Sequence, residues 1–454
     1  MGTIADNNEI LQELIDRYSL SPTPIEVNFR KLVSSIPYNS ERSTHLIHPY
    51  PAKLLLHIPY FFLNNEILSS EGDVVFDPFS GSGTVLLESL LSNRSAYGMD
   101  TNPLARLISK VKTTPIHTKK LSYETRKLFA SIGKKTAAFE PDVVNIEHWF
   151  YPHVRRQLSR IYAAIETVAD NEAKDFFSVC FSNCVRRTSL ADLRVSVPVK
   201  LNPDCYAKGH WLREAATKRI NWLRRVNVVK EFENIVRANE SRMSDFVEPT
   251  RDQLATIIGN DARDPAEYIG INAKNHSMKR PSLIITSPPY AGAQKYIRAS
   301  SLSLGWLHLC PRSGLRQHEE TTVGREHYHK SEFSEPKETG IKKADALLKV
   351  IREKNPLRAH IAANYLCEMQ TCFHNSISVL RPGGHFILVA ANNRVCGHDF
   401  KTKNYLREIL ENQGLTLRLE LVDDIQSRGL MTKRNKTASI ISRESVLVFK
   451  KSKH

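Results

Sequence analysis

No apolar run in this sequence reaches the roughly 18 residues that a membrane-spanning helix needs. The amino terminus, MGTIADNNEI, lacks the basic-then-apolar pattern of a secretory leader, and Asp6 stands where an acylation motif wants Ser or Thr. A cytoplasmic protein without a lipid anchor is expected. Cysteine is sparse, seven scattered residues in 454, an odd number that argues against a disulfide framework and for free thiols. Neither Cys180 and Cys184 with Cys205 and His210, nor Cys367 and Cys372 with His374, has the paired C-x2-C spacing of a structural zinc site, so no metal is expected. No repeat of fixed period is present. Acidic residues are the scarcer charge: 48 Asp and Glu against 64 Lys and Arg leave a net charge of +16. That excess goes beyond what solubility needs and fits a polyanionic partner such as nucleic acid, with a solvated basic face as the plainer alternative.

What is present is the composition of a folded chain, 41% hydrophobic and 25% charged, long enough for two or three domains. Residues 1–44 hold one helical pattern, NNEILQELIDRY, then a polar segment with prolines, and predict an N-terminal arm. From 45 to 114 the character changes. VVFD is a short strand, GSGTVLLESLLSN turns into an amphipathic helix, AYGMD is a second strand and NPLARLISKV a further helix, the opening of a parallel sheet with helices on its faces. Residues 115–255 show helical periodicity and basic clusters, HVRRQLSR, CVRRTSLADLR and KRINWLRRVNVVK, and predict a helical insert. Residues 256–454 supply the rest of the sheet: the strand SLIIT, a basic polar loop over 311–357, the helix YLCEMQTCFHNSISVL, the turn RPGG, the strand HFILVAAN, the helix YLREILENQG, and a closing pair LTLRLELV and SVLVFKK at the carboxyl edge. The fold class is therefore α/β.

Four strand ends carry chemistry. In VVFDPFSGSGTVLLES, Asp77 ends a strand, Gly81 and Gly83 form the turn, and a helix begins near Thr84, so free N–H groups face a ligand at the sheet's carboxyl edge. The loop is neither G-x-G-x-x-G nor G-x-x-x-x-G-K-[ST], which disfavours a dinucleotide or a triphosphate. Asp100, ending the next strand, is spaced to accept hydrogen bonds from ribose hydroxyls; the alternative is a helix cap before TNP. Asp261, in GNDARD, either sits beside a base ring or caps the next segment. SLIIT then stops at Ser287-Pro288-Pro289-Tyr290, where prolines remove donors and stiffen the backbone.

Together DPFSGSGT, GMDTNP, GNDARD and TSPPY resemble the S-adenosylmethionine-dependent methyltransferases that modify exocyclic amino groups of DNA bases. HPYPAKLLLHIPYFF is similar to the segment that precedes the glycine loop in that family, and SVLRPGGHFILVAANN to its helix-turn-strand after the catalytic strand. The resemblance covers roughly 45–114 and 255–450 and leaves the insert outside. It implies a Rossmann-like, mostly parallel sheet with an antiparallel strand at the carboxyl edge, in a bacterial or archaeal cell. It also implies S-adenosyl-L-methionine as cofactor, held by Lys53, Asp77, Pro78, Phe79, Ser80, Gly81, Gly83, Thr84, Asp100, Asn102, Asp261 and Thr286. Ser287, Pro288, Pro289 and Tyr290 would form the catalytic loop, whose leading Ser points to cytosine N4 rather than adenine N6. The Ser287 hydroxyl and the Pro288 carbonyl can accept the two N–H bonds of the amine, and Tyr290 offers a stacking face for a flipped base.

Double-stranded DNA is the implied partner, with a restriction endonuclease or other defence component as a further expectation. Arg155, Arg156, Arg186, Arg187, Arg224 and Arg225, with the 311–357 loop, are the candidate DNA contacts; ordinary solvated helices are the alternative. Many cytosine-N4 members have the reverse motif order, so the recognition region is placed by the size of the insert alone. Other functions in view are adenine-N6 transfer, guanine-N2 transfer on RNA, and a catalytically silent nucleic-acid binder.

Overall fold

The computed structural model describes residues 4–33, 36, 42–51, 53–133, 139–247, 253–269, 278–290, 295–424 and 443–453. Its centre is an eight-stranded sheet. In chain order the strands are β1 (Ile25–Glu26), β2 (Val74–Asp77), β3 (Ser95–Met99), β4 (Ala255–Gly259), β5 (Leu283–Thr286), β6 (His385–Ala390), then β7 (Asn393–Val395) and β8 (His398–Phe400), which pair separately, and β9 (Leu415–Asp424) and β10 (Arg443–Lys451). The order across the main sheet is β1-β9-β10-β6-β5-β2-β3-β4. Strands β4, β3, β2, β5 and β6 run parallel, and β10 runs antiparallel to both β6 and β9. The antiparallel strand thus lies inside the sheet, with β9 and the short parallel β1 beyond it.

The central strands are apolar throughout because both faces are covered: every residue of VVFD and of LIIT is buried. Alternate side chains feed different layers. Val75, Ile285 and Ile387 face a cluster that includes Phe61, Phe62 and Leu86, whereas Phe76, Ile284 and Phe386 face one built on the helix Pro356–Val379. The first helix, Ile4–Leu20, packs on β9 and adds Leu11, Ile15 and Tyr18 to the former cluster.

Helices Thr118–Ile132, Pro152–Glu166, Asn171–Thr188, Trp211–Leu223 and Val228–Val247 fill the stretch after β3 and its helix Pro103–Thr113. All but Trp211–Leu223 share one apolar cluster with Pro103–Thr113 and with the helix Tyr296–Trp306, whose Trp306 is buried against Phe150 and Phe181. Polar contacts reinforce the junction: His48 Nε2 lies 3.0 Å from Ser182 Oγ, Ser182 Oγ donates to Ser303 Oγ at 2.9 Å, and Asn239 Nδ2 donates to the Ile47 carbonyl at 3.0 Å.

Two local expectations change. The helix Thr84–Leu91 is not amphipathic in its surroundings, since Thr84 through Leu90 are all buried, Glu88 included. The 311–357 stretch is not one loop, because it contains the helices Leu315–Glu320 and Lys342–Lys354. The second buries Ala344, Leu348 and Ile351, an i, i+4, i+7 stripe masked in the sequence by its lysines.

Candidate active site

The direction of strand succession reverses between β2 and β5, which are paired in parallel while β3 follows β2 on the other side. A crevice opens outside the carboxyl ends of strands at such a switch point. Here the cleft is lined by Tyr50, Lys53, Leu54, Asp77, Pro78, Phe79, Ser80, Gly81, Ser82, Thr84, Val85, Asp100, Thr101, Ala262, Ser287, Pro289, Tyr296, Thr322 and Val323. The strand ends of β2, β3 and β5 and the turn after β4 therefore converge on one site.

The loop is shaped by its own strand-end acids. Asp77 Oδ1 accepts from the backbone N–H of Phe79 at 3.1 Å and from Thr286 Oγ1 at 2.8 Å, which bolts the end of β5 to that of β2. Asp100 Oδ2 accepts from the Gly81 N–H at 3.0 Å and its Oδ1 from the Asn102 N–H at 2.8 Å. Ser80 donates through N–H and Oγ to the Met99 carbonyl, at 2.9 and 3.1 Å. Gly81 has φ +49° and open space where a Cβ would stand, so the ligand side of the turn is bare backbone. Gly83 does other work: at φ +76° a Cβ there would lie 2.3 Å from Ser109 Oγ, so this glycine admits the helix Pro103–Thr113.

Several of the expected ligand contacts lie behind the cleft lining. Among the described residues, Gly83, Asn102, Asp261, Thr286, Pro288 and Tyr290 do not line the cleft. Asn102 is fully buried, caps the following helix through the Leu104 N–H at 3.1 Å, and donates to Tyr50 Oη at 3.0 Å and Ser300 Oγ at 2.9 Å. Asp261 is held by Arg263 through Nε at 2.8 Å and Nη2 at 2.7 Å, and Ala262 faces the cleft beside it. Tyr290 is buried and donates to Glu444 Oε1 at 3.1 Å; the tyrosine rings on the cleft wall are Tyr50 and Tyr296. Ser287 and Pro289 are half-buried and face the cleft.

Sequence reasoning did not single out Tyr50, Tyr296, Thr322 and Val323, although the first lies in the HPYPAK segment and the last two in the stretch assigned to DNA. It also missed the support under that segment. Glu88 accepts from Arg42 Nη2 at 2.6 Å and lies 2.7 Å from His45 Nε2, while Lys53 Nζ donates to the His45 carbonyl at 3.1 Å. A lone Glu in the apolar run TVLLESLL was the available signal.

Burial pushes the Asp77 carboxyl up to about 7, against the opposing hydrogen bonds from Thr286 and Phe79. Burial likewise raises Asp100 to about 6. Both carboxyls are met by backbone or hydroxyl donors and lack a paired cation among the described residues. Such a site favours a ligand bearing an ammonium group and hydroxyl donors, with apolar bulk against Pro78, Phe79 and Val85. An aminoacyl nucleoside with a sulfonium fits that donor set.

The insert's arginines are placed differently. Arg155 pairs with Glu147 at 2.8 Å and Arg187 with Glu231 at 2.7 Å, whereas Arg186 donates to the carbonyls of Ser196 and Val195 at 2.9 and 2.5 Å. Arg156, Arg224 and Arg225 are exposed. Among the described residues no helix is long and apolar enough to cross a membrane, and no group of His, Cys, Asp and Glu could hold a metal ion.

Comparison with known proteins agrees with this geometry. Residues 28–110 match the model of a family described as DNA methylase. The chain is 30% identical over 323 residues to the Type II methyltransferase M.MvaI of Kocuria varians, an alignment covering 66% of this chain and 65% of that protein. Over 105 residues it is 31% identical to the Type II methyltransferase M.MjaII of Methanocaldococcus jannaschii, covering 23% of this chain and 19% of that one. The chain thus spans just under two thirds of the first relative's length and about a fifth of the second's. Residues 28–110, which hold the glycine loop and the strand-end acids Asp77 and Asp100, thus match the DNA methylase model, in a chain similar over about two thirds of its length to a Type II methyltransferase.

Proposed function

We propose that this protein transfers a methyl group from S-adenosyl-L-methionine to the exocyclic N4 of cytosine in double-stranded DNA. The observation that carries the reading is that Ser287, at the end of β5, faces the same cleft as Asp77, Gly81 and Asp100. The cofactor when bound supplies a methyl already activated on a sulfonium, so the chain's task is positioning. Asp77 Oδ2 is left as an acceptor for an ammonium, because both hydrogen bonds found for this carboxylate fall on Oδ1. Asp100 receives the ribose hydroxyls, and Leu54, Pro78 and Phe79 exclude water from the methionine end.

An exocyclic amine is a poor nucleophile while its lone pair is delocalised into the ring. Ser287 Oγ, on the cleft wall, accepts one of its N–H bonds and favours a more tetrahedral nitrogen, which takes the methyl as the sulfonium's S–C bond breaks and releases one proton. Thr286 and Tyr290 fix the turn that carries this acceptor from either side through Asp77 and Glu444. The base leaves the duplex to reach this depth, at a cost of about a few kcal/mol. Tyr296 is the aromatic wall it meets. A companion restriction endonuclease belongs to the same reading, since the relatives are Type II methyltransferases.

The test is nucleoside mass spectrometry of DNA from cells expressing the intact chain or Ser287→Ala. N4-methylcytosine is expected with the intact chain, and the variant should lose on the order of 100-fold in turnover while cofactor affinity is kept. N6-methyladenine would replace cytosine by adenine as target, and absence of any modified base would refute the reading.

A further inference from the structure

Between residues 186 and 225 the sequence holds ten Lys and Arg against three Asp and Glu, a large share of the chain's net +16. Two of those acids are matched within the segment, Asp192 to Arg194 at 2.5 Å and Asp204 to Arg213 at 2.8 Å. Arg186, Arg187 and Arg219 are also occupied, the last by the carbonyls of Arg187 and Ser189. Lys200, Lys208, Lys218 and Arg225 are exposed and make no ion pair among the described residues. The positive charge left over is therefore concentrated on and around one helix, Trp211–Leu223.

That helix is barely covered. Ala216 and Leu223 are its buried residues, seated on a small core with Leu190 and Leu201. Its open side carries Trp211, Lys218, Asn221 and Trp222 in helical register, the two indoles 67% and 41% exposed, and Arg225 follows just past its end. Glu214 is the one carboxylate on this side. Uncovered aromatic surface interleaved with uncompensated cations and an amide fits a partner that presents phosphates and base edges together. An α-helix of roughly 10–12 Å diameter also fits the major groove of B-DNA, about 12 Å wide.

The helix is linked to the cleft. Its core residue Leu190 donates to the Trp149 carbonyl at 2.8 Å and accepts from the Leu201 N–H at 2.8 Å, closing the loop that carries Val197 and Pro198. Trp149, Val197 and Pro198 form one wall of a groove whose other wall includes Ile297, Arg298 and Arg316. Ile297 of this groove directly follows Tyr296 of the cleft wall on one helix.

We propose that the helix Trp211–Leu223 is the element that seats in the major groove of duplex DNA flanking the reacting base, with Lys218 and Arg225 on phosphates and Asn221 at base edges. This rests on the reading that the substrate is DNA. The test uses the full chain and a fluorescein-labelled mixed-sequence DNA duplex, with affinity measured by anisotropy across a salt series. Lys218→Ala with Arg225→Ala should lower the slope of log affinity against log salt by about two, with melting temperature and cofactor binding kept. Asn221→Ala should leave that slope unchanged and redistribute the methylated positions found by sequencing. The charge-matched pair Lys31→Ala with Lys401→Ala, both exposed and outside the insert and the 311–357 stretch, should not move the slope. An unchanged slope in the Lys218 and Arg225 variant, or an equal loss in the control pair, overturns the helix assignment and leaves the DNA reading standing. An intact chain that fails to bind the duplex, or prefers an RNA duplex of equal length, overturns both.

Discussion

The cleft and the helical insert treat buried charge in opposite ways. In the insert, a buried or half-buried cation finds its acceptor within the chain: Arg186 and Arg219 reach backbone carbonyls and Arg187 reaches Glu231. In the cleft, Asp77 and Asp100 meet N–H and hydroxyl donors, and burial pushes their carboxyls upward, Asp100 against the opposing charge of Arg106. An internally matched charge holds the fold together. An unmatched one marks where a partner of the opposite sign completes the structure, an ammonium-bearing ligand in the cleft and a polyanion at the exposed helix.

The contrast is sharpened most by removing an unmatched charge. Asp100→Ala should weaken cofactor binding by about 100-fold or more, as two hydrogen bonds to a charged acceptor are lost, while stability falls by only about 1–2 kcal/mol, because the Gly81 and Asn102 N–H groups lose their acceptor but the burial cost of the carboxylate vanishes with it. Calorimetric titration and thermal melting on one preparation separate the two effects; a large drop in melting temperature would make Asp100 a structural residue. Next in size is the pair of glycines. Gly83→Ala should cost about 2–4 kcal/mol of stability, since its φ of +76° and the 2.3 Å approach to Ser109 Oγ both resist a Cβ. Gly81→Ala meets open space and should cost only about 1 kcal/mol, with its main effect on cofactor affinity. Equal melting temperatures for the two variants would contradict the division of labour drawn between them.

How much of this was legible in sequence follows from how far each feature reaches along the chain. Asp77, Gly81, Asp100 and Ser287 were readable because a strand end, a turn and a helix start within a few residues fix their placement. Tyr296, Thr322 and Val323 were not, because what brings them to the cleft is packing between segments distant in sequence. Asp261 was read as a ligand contact, yet Arg263 two residues on occupies both carboxylate oxygens, a competition that residue types alone do not settle. The Arg clusters divide for a related reason. CVRRTSLADLR shows cations, whereas only the fold shows that Arg186 faces the carbonyls of its own downstream loop.

Arg186 and its neighbour Arg187 bring the comparison to a single dipeptide. Arg186→Ala removes two charge-assisted hydrogen bonds to partly buried carbonyls and should cost about 2 kcal/mol. Arg187→Ala breaks a pair whose arginine is half exposed, worth about 0–1 kcal/mol in such surroundings. Chemical denaturation of the two variants should rank them in that order, with the salt slope of DNA binding the same in both. A lower slope in Arg186→Ala would return that residue to the DNA surface.

The last effect is set by pH, and its sign follows from the cleft carboxyls. Asp77 rises from an ordinary 3.8 to about 7 and Asp100 to about 6 on folding. Between about pH 4 and those values the native chain holds protons that the unfolded chain has released, so ligand-free stability should fall as pH rises through this window and level off above about 7. An ammonium-bearing ligand prefers the ionised carboxylate, so its affinity should move the other way and be about tenfold tighter at pH 7.5 than at pH 6, an increment of roughly 1.4 kcal/mol. In Asp77→Asn the affinity should become weak and nearly flat over the same range. Opposite slopes for melting temperature and affinity in the intact protein, both flattened in the variant, would identify Asp77 as the unmatched charge; parallel slopes would mean that the cleft neutralises it before any ligand arrives.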